Sequence, residues 1–265
     1  MSSVVRVWVN GEICDDDAAS LSAIDHGVTV GDGVFETLKI RDGEAFAPTR
    51  HRARLERSAA GLGLPAIDHD LIDQGVKAIL GSGEPIALGR LRYTVTGGPG
   101  PLGSDRGTAP PTYIVTAAPI EPVVGPVALA VTPWTRNERS AVAGLKTTSY
   151  AENVVALAYA KERGAVEAVF ANTRGELCEC TGSNIFVVVG GEILTPPLSS
   201  GCLAGITRDL TIEWCREAGL RVLEEALPLS VLHTCQRSVH HLQHPGCASR
   251  RADRRAPAAG ARPGD

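Results

Sequence analysis

The sequence predicts an α/β (α+β) chain of two domains, the smaller first, and three observations carry that reading. Two hairpin signals, Asn10-Gly11 and Asp42-Gly43, punctuate apolar, β-branched runs near the start. Two segments of helical periodicity follow in the first half, one of them ending among glycines. In the second half several strands come in a row, the mark of a mainly antiparallel arrangement, beyond a proline-bearing linker, IEPVVGP. The expected boundaries are a small N-terminal domain over 1–120, a linker over 121–126 and a larger domain over 127–235.

Residues 4–9 (VVRVWV) read as the first strand of a hairpin. The segment IDHGVTVGDGVFETLKI then passes through a glycine-rich turn into a strand over 34–40, and Asp32-Gly33 reads as a plain turn or as a place of close backbone approach. A helix starts near Thr49 with Leu55 and Ala59 on one face and Arg50, Arg52, Arg54 and Arg57 on its charged side. Such a row is commonly a solvated face; an anion seat for one arginine is the sharper alternative. A second helix over 68–80 leads to a strand over 87–96. The match of Gly98–Gly103 to GxGxxG fails as a dinucleotide motif, because it holds two prolines and no helix can follow in SDRGTAPPT.

After the strand PTYIVTAAP and the linker comes VALAVTPWT, then the polar turn RNERS and Lys146. A helix runs from about Tyr150 to the stop at Gly164, with Val154, Val155, Leu157 and Ala158 apolar. Strands follow at EAVFAN, ELCEC and IFVVVGGEILT. A small-residue loop then feeds a helix from about Ile206, whose free N–H groups at Ile206 and Thr207 make either an ordinary helix start or a phosphate cradle.

The 265 residues are 43% hydrophobic with a net charge of -4, which gives ample core and no sign of a nucleic-acid binder. No apolar run reaches the roughly 18 residues of a membrane span, and no signal-peptide pattern opens the chain, so a cytoplasmic protein without membrane partners is expected. Seven cysteines lie scattered without paired CxxC spacing, which points to reduced thiols rather than to zinc or disulfides.

Two residues suggest chemistry. Lys146 is the one lysine of an uncharged segment, GLKTTSYA, and Glu179 lies in an apolar, cysteine-rich strand that ends in Gly-Ser-Asn. A lysine acting as an amine nucleophile and a carboxylate holding a cationic ring nitrogen both suit such surroundings.

The strings VGDGVFETLKI, HRARLERS, GLKTTSYAENVVALAYA, ELCECTGSNIF and LAGITRD, in this order, resemble the fold type IV pyridoxal-phosphate enzymes, the class IV aminotransferases, over about 4–235. The resemblance implies pyridoxal 5'-phosphate as cofactor, seated in the cleft between the domains, a small-molecule amino substrate and a homodimer. It implies that Lys146 carries the cofactor covalently and moves protons at the substrate α-carbon, and that Glu179 pairs with the pyridine nitrogen. Arg54, Ile206 and Thr207 match the phosphate site, Phe35 an aromatic residue beside the substrate, Ser183 and Asn184 the turn after the glutamate, and Tyr150 a place near the cofactor. Within the family the strings look most like 4-amino-4-deoxychorismate lyases, in the folate pathway. Branched-chain or D-amino-acid aminotransferases and an inactive binding protein are the alternatives.

The end of the chain departs from the pattern. Where the family has a strand and a Ser/Thr-rich phosphate turn, residues 236–265 hold six arginines, three histidines and only two large aliphatics, Val239 and Leu242. This composition belongs to a disordered tail and argues against a core strand. Re-read one nucleotide later, the codons of Ser238–Cys247 allow V-F-(I/T)-(I/T)-S-S-(I/T)-R-D-V, so a frameshift near 235–237 is expected. His240, His241 and His244 lack the partners of a metal site, and none is expected.

Overall fold

The computed structural model describes residues 5–15, 21–235 and 237–241. The first half builds one six-stranded, wholly antiparallel sheet in the order β2-β1-β6-β5-β3-β4. Its strands are β1 (Arg6–Val9), β2 (Glu12–Cys14), β3 (Gly33–Arg41), β4 (Glu44–Ala45), β5 (Leu88–Thr96) and β6 (Thr112–Pro119). Asn10, Gly11, Asp42 and Gly43 all take positive φ, as the hairpin signals require.

Helices α2 (Pro48–Leu62) and α3 (His69–Gly81) cover one face of this sheet. Val34, Leu38 and Ile40 alternate toward them and meet Leu55, Ala59, Ile72 and Ile79 in a core with Trp8, Leu91 and Tyr93. The glycine-rich segment ahead of β3 holds a short helix not expected from the sequence, α1 (His26–Thr29), capped by the Asp25 side chain on the Gly27 N–H. Nothing helical follows Gly98–Gly103 before β6.

The next strand starts at Leu129. A three-stranded sheet β7-β8-β9 joins β7 (Leu129–Arg136), β8 (Glu167–Asn172) and β9 (Leu177–Cys180). A four-stranded sheet runs β12-β11-β10-β13, from β10 (Asn184–Val189), β11 (Glu192–Thr195), β12 (Val222–Glu224) and β13 (Arg237–His241). The β7–β8 and β11–β12 pairs are parallel and the other three antiparallel. Helix α4 (Ala151–Glu162) lies on the first of these sheets, α5 (Ile206–Glu217) connects β11 to β12, and α6 (Val231–Thr234) precedes β13. On α4 the buried positions are Asn153, Ala156 and Ala160, while Val154 and Val155 are exposed.

Strand β13 corrects the expectation that residues after 235 form no strand. Its backbone pairs with β10 from Arg237 opposite Val188 to His241 opposite Asn184. An edge strand is held by main-chain N–H and C=O groups, which any composition supplies, so side-chain polarity was a poor guide here. The rest of that stretch, 242–265, lies outside the described residues, as do Gln236 and His244 of the tail and metal readings. Among the described residues no cluster of His, Cys, Asp or Glu could hold a metal ion, and no helix is long and apolar enough to cross a membrane. The six described cysteines are free thiols, and Cys178, Cys180 and Cys202 are buried.

Candidate active site

A cavity of about 270 Å³ lies between the two halves, and Arg54, Lys146, Tyr150, Glu179, Ser183, Asn184, Ile206 and Thr207 all line it. Phe35 packs directly behind: its ring centre is 4.4 Å from the Lys146 amine and 5.1 Å from the Tyr150 ring, edge to face.

Lys146 sits in an extended segment wedged between α2 and the start of β3. Its N–H donates to the Ser58 hydroxyl at 3.1 Å, its carbonyl accepts from the Phe35 N–H, and Thr148 donates to the Gly33 and Gly31 carbonyls. This lattice fixes the backbone and leaves the side chain to enter the cavity. Burial, and after it the positive charge of Arg54, hold the Lys146 ammonium down to about 8. Tyr150 is pushed up to about 12 by burial and then by the Glu179 charge, so its hydroxyl keeps its proton and can donate.

Glu179 enters from β9. One of its oxygens accepts from the Leu203 N–H at 2.9 Å. The other is ion-paired with Arg136, 3.3 Å from its Nε, and the carboxylate keeps lone pairs for a further donor. Burial raises the Glu179 carboxyl, against the opposing pull of Arg136.

Arg54 is the one arginine of its row that is buried; Arg50 and Arg52 reach outward to Glu213 and Asp73. Its guanidinium is held by both oxygens of Glu36, at 2.8 and 2.6 Å, and by the Ala204 carbonyl at 3.0 Å. Burial alone would raise Glu36, but its bonds from Arg54 and His51 outweigh burial and keep it below the usual carboxylate range. Facing Arg54, α5 begins at Ile206 with no side chain on its first N–H groups, which leaves them open toward the cavity. The close turn before it needs glycine, because a Cβ on Gly205 would lie 1.9 Å from the Asn184 side-chain oxygen.

Sequence reasoning missed Glu36, His51, Arg136, Arg92 and Glu167. Glu36 and Glu167 carry the signal that singled out Glu179, a lone carboxylate in an apolar strand. Arg92, with its guanidinium 3.8 Å from the Phe35 ring centre, carried no distinguishing pattern.

These features define a cofactor-dependent enzyme site: a buried amine of lowered basicity, a buried carboxylate with lone pairs to spare, and an uncapped helix start beside an arginine. The sequence profile of the class IV aminotransferases matches residues 33–240, and the chain belongs to that family. A Methanocaldococcus jannaschii chain provisionally named as a branched-chain-amino-acid aminotransferase is 35% identical over 236 residues, covering 87% of this chain and 81% of its own. The bifunctional aminodeoxychorismate lyase / D-amino acid transaminase of Mycobacterium tuberculosis is 29% identical over 258 residues, covering 87% and 84%. A Mycobacterium tuberculosis protein described as a hypothetical aminotransferase, solved in a PLP-bound form, superposes with a TM-score of 0.78 at 28% identity, over 93% of this chain and 89% of that one.

Enzymes of the family are pyridoxal-phosphate-dependent, and the residues here fit that group. On that group the amine of Lys146 would meet the aldehyde, the Glu179 carboxylate would meet the ring nitrogen, and Arg54 with the Ile206 and Thr207 N–H groups would meet the phosphate.

Proposed function

We propose that this chain is a 4-amino-4-deoxychorismate lyase that releases 4-aminobenzoate and pyruvate. The observation that carries its catalytic part is Lys146, a buried amine held near 8 inside a cavity it shares with Glu179 and the α5 start. Bound pyridoxal phosphate supplies an electron sink for the α-carbon of an amino substrate. The protein's own residues do the rest. At neutral pH about a tenth of the Lys146 side chains are uncharged, enough to act as nucleophile and as the base that removes the α-proton and returns it. Glu179 would accept a hydrogen bond from a protonated ring nitrogen. Tyr150 and Phe35 flank the amine and keep its approach dry, and Arg92 places a positive charge against Phe35 that suits a substrate bearing carboxylates.

The lyase rather than transaminase assignment rests on the strings GDGVFETL and KTTSYAENVVAL and on Glu176-Leu177-Cys178, which lacks the tyrosine usual ahead of the glutamate in branched-chain enzymes. The bifunctional Mycobacterium tuberculosis relative carries both activities in its name and suits either reading. Amino transfer to 2-oxoglutarate is the second reading, favoured by the 35% identical Methanocaldococcus jannaschii relative. Purified protein saturated with pyridoxal phosphate is given aminodeoxychorismate, and separately D- and branched-chain amino acids with 2-oxoglutarate. Pyruvate release without glutamate formation supports the lyase; glutamate formation alone overturns it. A visible cofactor band that survives Lys146→Ala unchanged overturns the enzymatic reading and leaves a binding protein.

A further inference from the structure

We propose that Glu167 is a positioning residue of the cofactor site: it consumes both hydroxyl protons and the central N–H of the turn Thr181–Ser183, and adds a second negative charge at the Glu179 end of the cavity. The proposal rests on the pyridoxal-phosphate reading above. Glu167 opens β8 and is 3% exposed. It accepts from the Thr181 hydroxyl at 3.0 Å, the Gly182 N–H at 2.5 Å and the Ser183 hydroxyl at 2.6 Å. The same turn is anchored by the Thr181 N–H on the Ala168 carbonyl and by the Asn153 amide on the Thr181 carbonyl.

A hydroxyl whose proton goes to a carboxylate has only lone pairs left for a ligand. Thr181, Gly182 and Ser183 all line the cavity, so their hydroxyls meet a ligand as acceptors. This wall therefore suits a donor or a cation, and it is wrong for a phosphate, which belongs at Arg54 and α5. The charged and titratable groups around the Glu179 end of the cavity include Arg54 from α2, Arg136 from β7, Lys146 and Tyr150 from the segment before α4, Glu152 from α4, Glu167 from β8, Cys178, Glu179 and Cys180 from β9, and Cys202 before α5. Burial raises both carboxyls, while the bonds that Glu167 accepts from Ser183, Gly182 and Thr181 oppose burial and favour its charged form. A protonated ring nitrogen seated beside Glu179 would be held by both charges.

The test uses the full chain at saturating pyridoxal phosphate labelled with nitrogen-15 in the ring, whose chemical shift reports the ring proton as pH is varied. Glu167→Gln keeps the size and removes the charge; the ring nitrogen is expected to lose its proton at a pH about one unit lower, a tenfold weaker hold. Glu167→Asp keeps the charge and is expected to titrate closer to the unaltered protein than Glu167→Gln does. A folded, loaded Glu167→Gln protein with an unshifted titration overturns the proposal, and so does a Glu167→Asp shift of the same size as that of Glu167→Gln. Should Glu167→Gln fail to load, Glu167→Asp, which keeps the charge, is expected to load; failure of both assigns Glu167 to packing and overturns the proposal. Failure of the underlying reading shows separately, as unaltered protein with no Lys146-dependent cofactor band.

Discussion

At the residue scale, the position of Lys146 on the pH axis has a direct kinetic consequence. Its folded value lies below that of a free lysine, so the neutral amine grows as pH rises through about 8. Capture of pyridoxal phosphate by the apoprotein, followed by stopped-flow absorbance, is expected to speed up about tenfold per unit below that pH and to level off above it. A profile still climbing toward 10 would mean that the amine is not desolvated. Glu36 lets a second prediction be made. Its carboxylate orients Arg54, so Glu36→Gln strips a buried guanidinium of its countercharge, and pyridoxal-phosphate affinity is expected to fall about tenfold to a hundredfold by titration calorimetry. Lys146 and Glu179 were legible in the sequence because a lone charge in an apolar run demands a reason. Glu36 and Glu167 make the same demand, but the partners that answer it, Arg54 and His51 for one and Thr181 and Ser183 for the other, come from other elements and acquire meaning only in the fold.

At the element scale, the α5 start depends on a missing side chain. Gly205→Ala drives a methyl into the Asn184 amide, which is bonded to the Leu203 carbonyl. A stability loss of about 1–3 kcal/mol is expected by thermal unfolding, with weaker cofactor retention. The start of α5 was legible to the residue, since a small-residue loop running into an amphipathic stretch is a strong signal. Helix α4 was legible in its periodicity but its faces were not: small alanines fill the narrow contact, and the larger valines are exposed. Strand β13 was misjudged because composition speaks for side chains while the ladder with β10 is made by the main chain. Its register nonetheless bears on the frameshift reading, because Ser238 to His241 run alongside Val187 to Asn184 and end beside a cavity residue. Restoring the frame over 238–247 is expected to tighten pyridoxal phosphate by about a hundredfold to ten-thousandfold, since two hydrogen bonds to a charged phosphate would return. Full cofactor occupancy of the 265-residue protein as purified would count against this, as would an unbroken frame on resequencing.

At the scale of the whole molecule, two sheet systems meet over one cleft, and the sequence showed the two halves but not their stitching. The placement of β6 between β1 and β5, and of β13 against β10, joins segments about a hundred and about fifty residues apart, which no local pattern encodes. Trp134, Val154 and Val155 of the second half are exposed, and we propose that a second copy covers them, as the homodimer implied by the family resemblance would. Sedimentation at micromolar concentration is expected to give twice the chain mass; a monomer would leave those residues without an occupant. Arg54 joins the two halves: it is anchored on Glu36 in the first and on the Ala204 carbonyl in the second, and it lines the cavity, where it would hold a bound anion. Filling the site and holding the halves together are thus thermodynamically linked through one guanidinium. Whatever weakens the grip on the anion loosens the junction, and a substitution at the junction, far from the reacting carbon, would register first as cofactor lost on dilution.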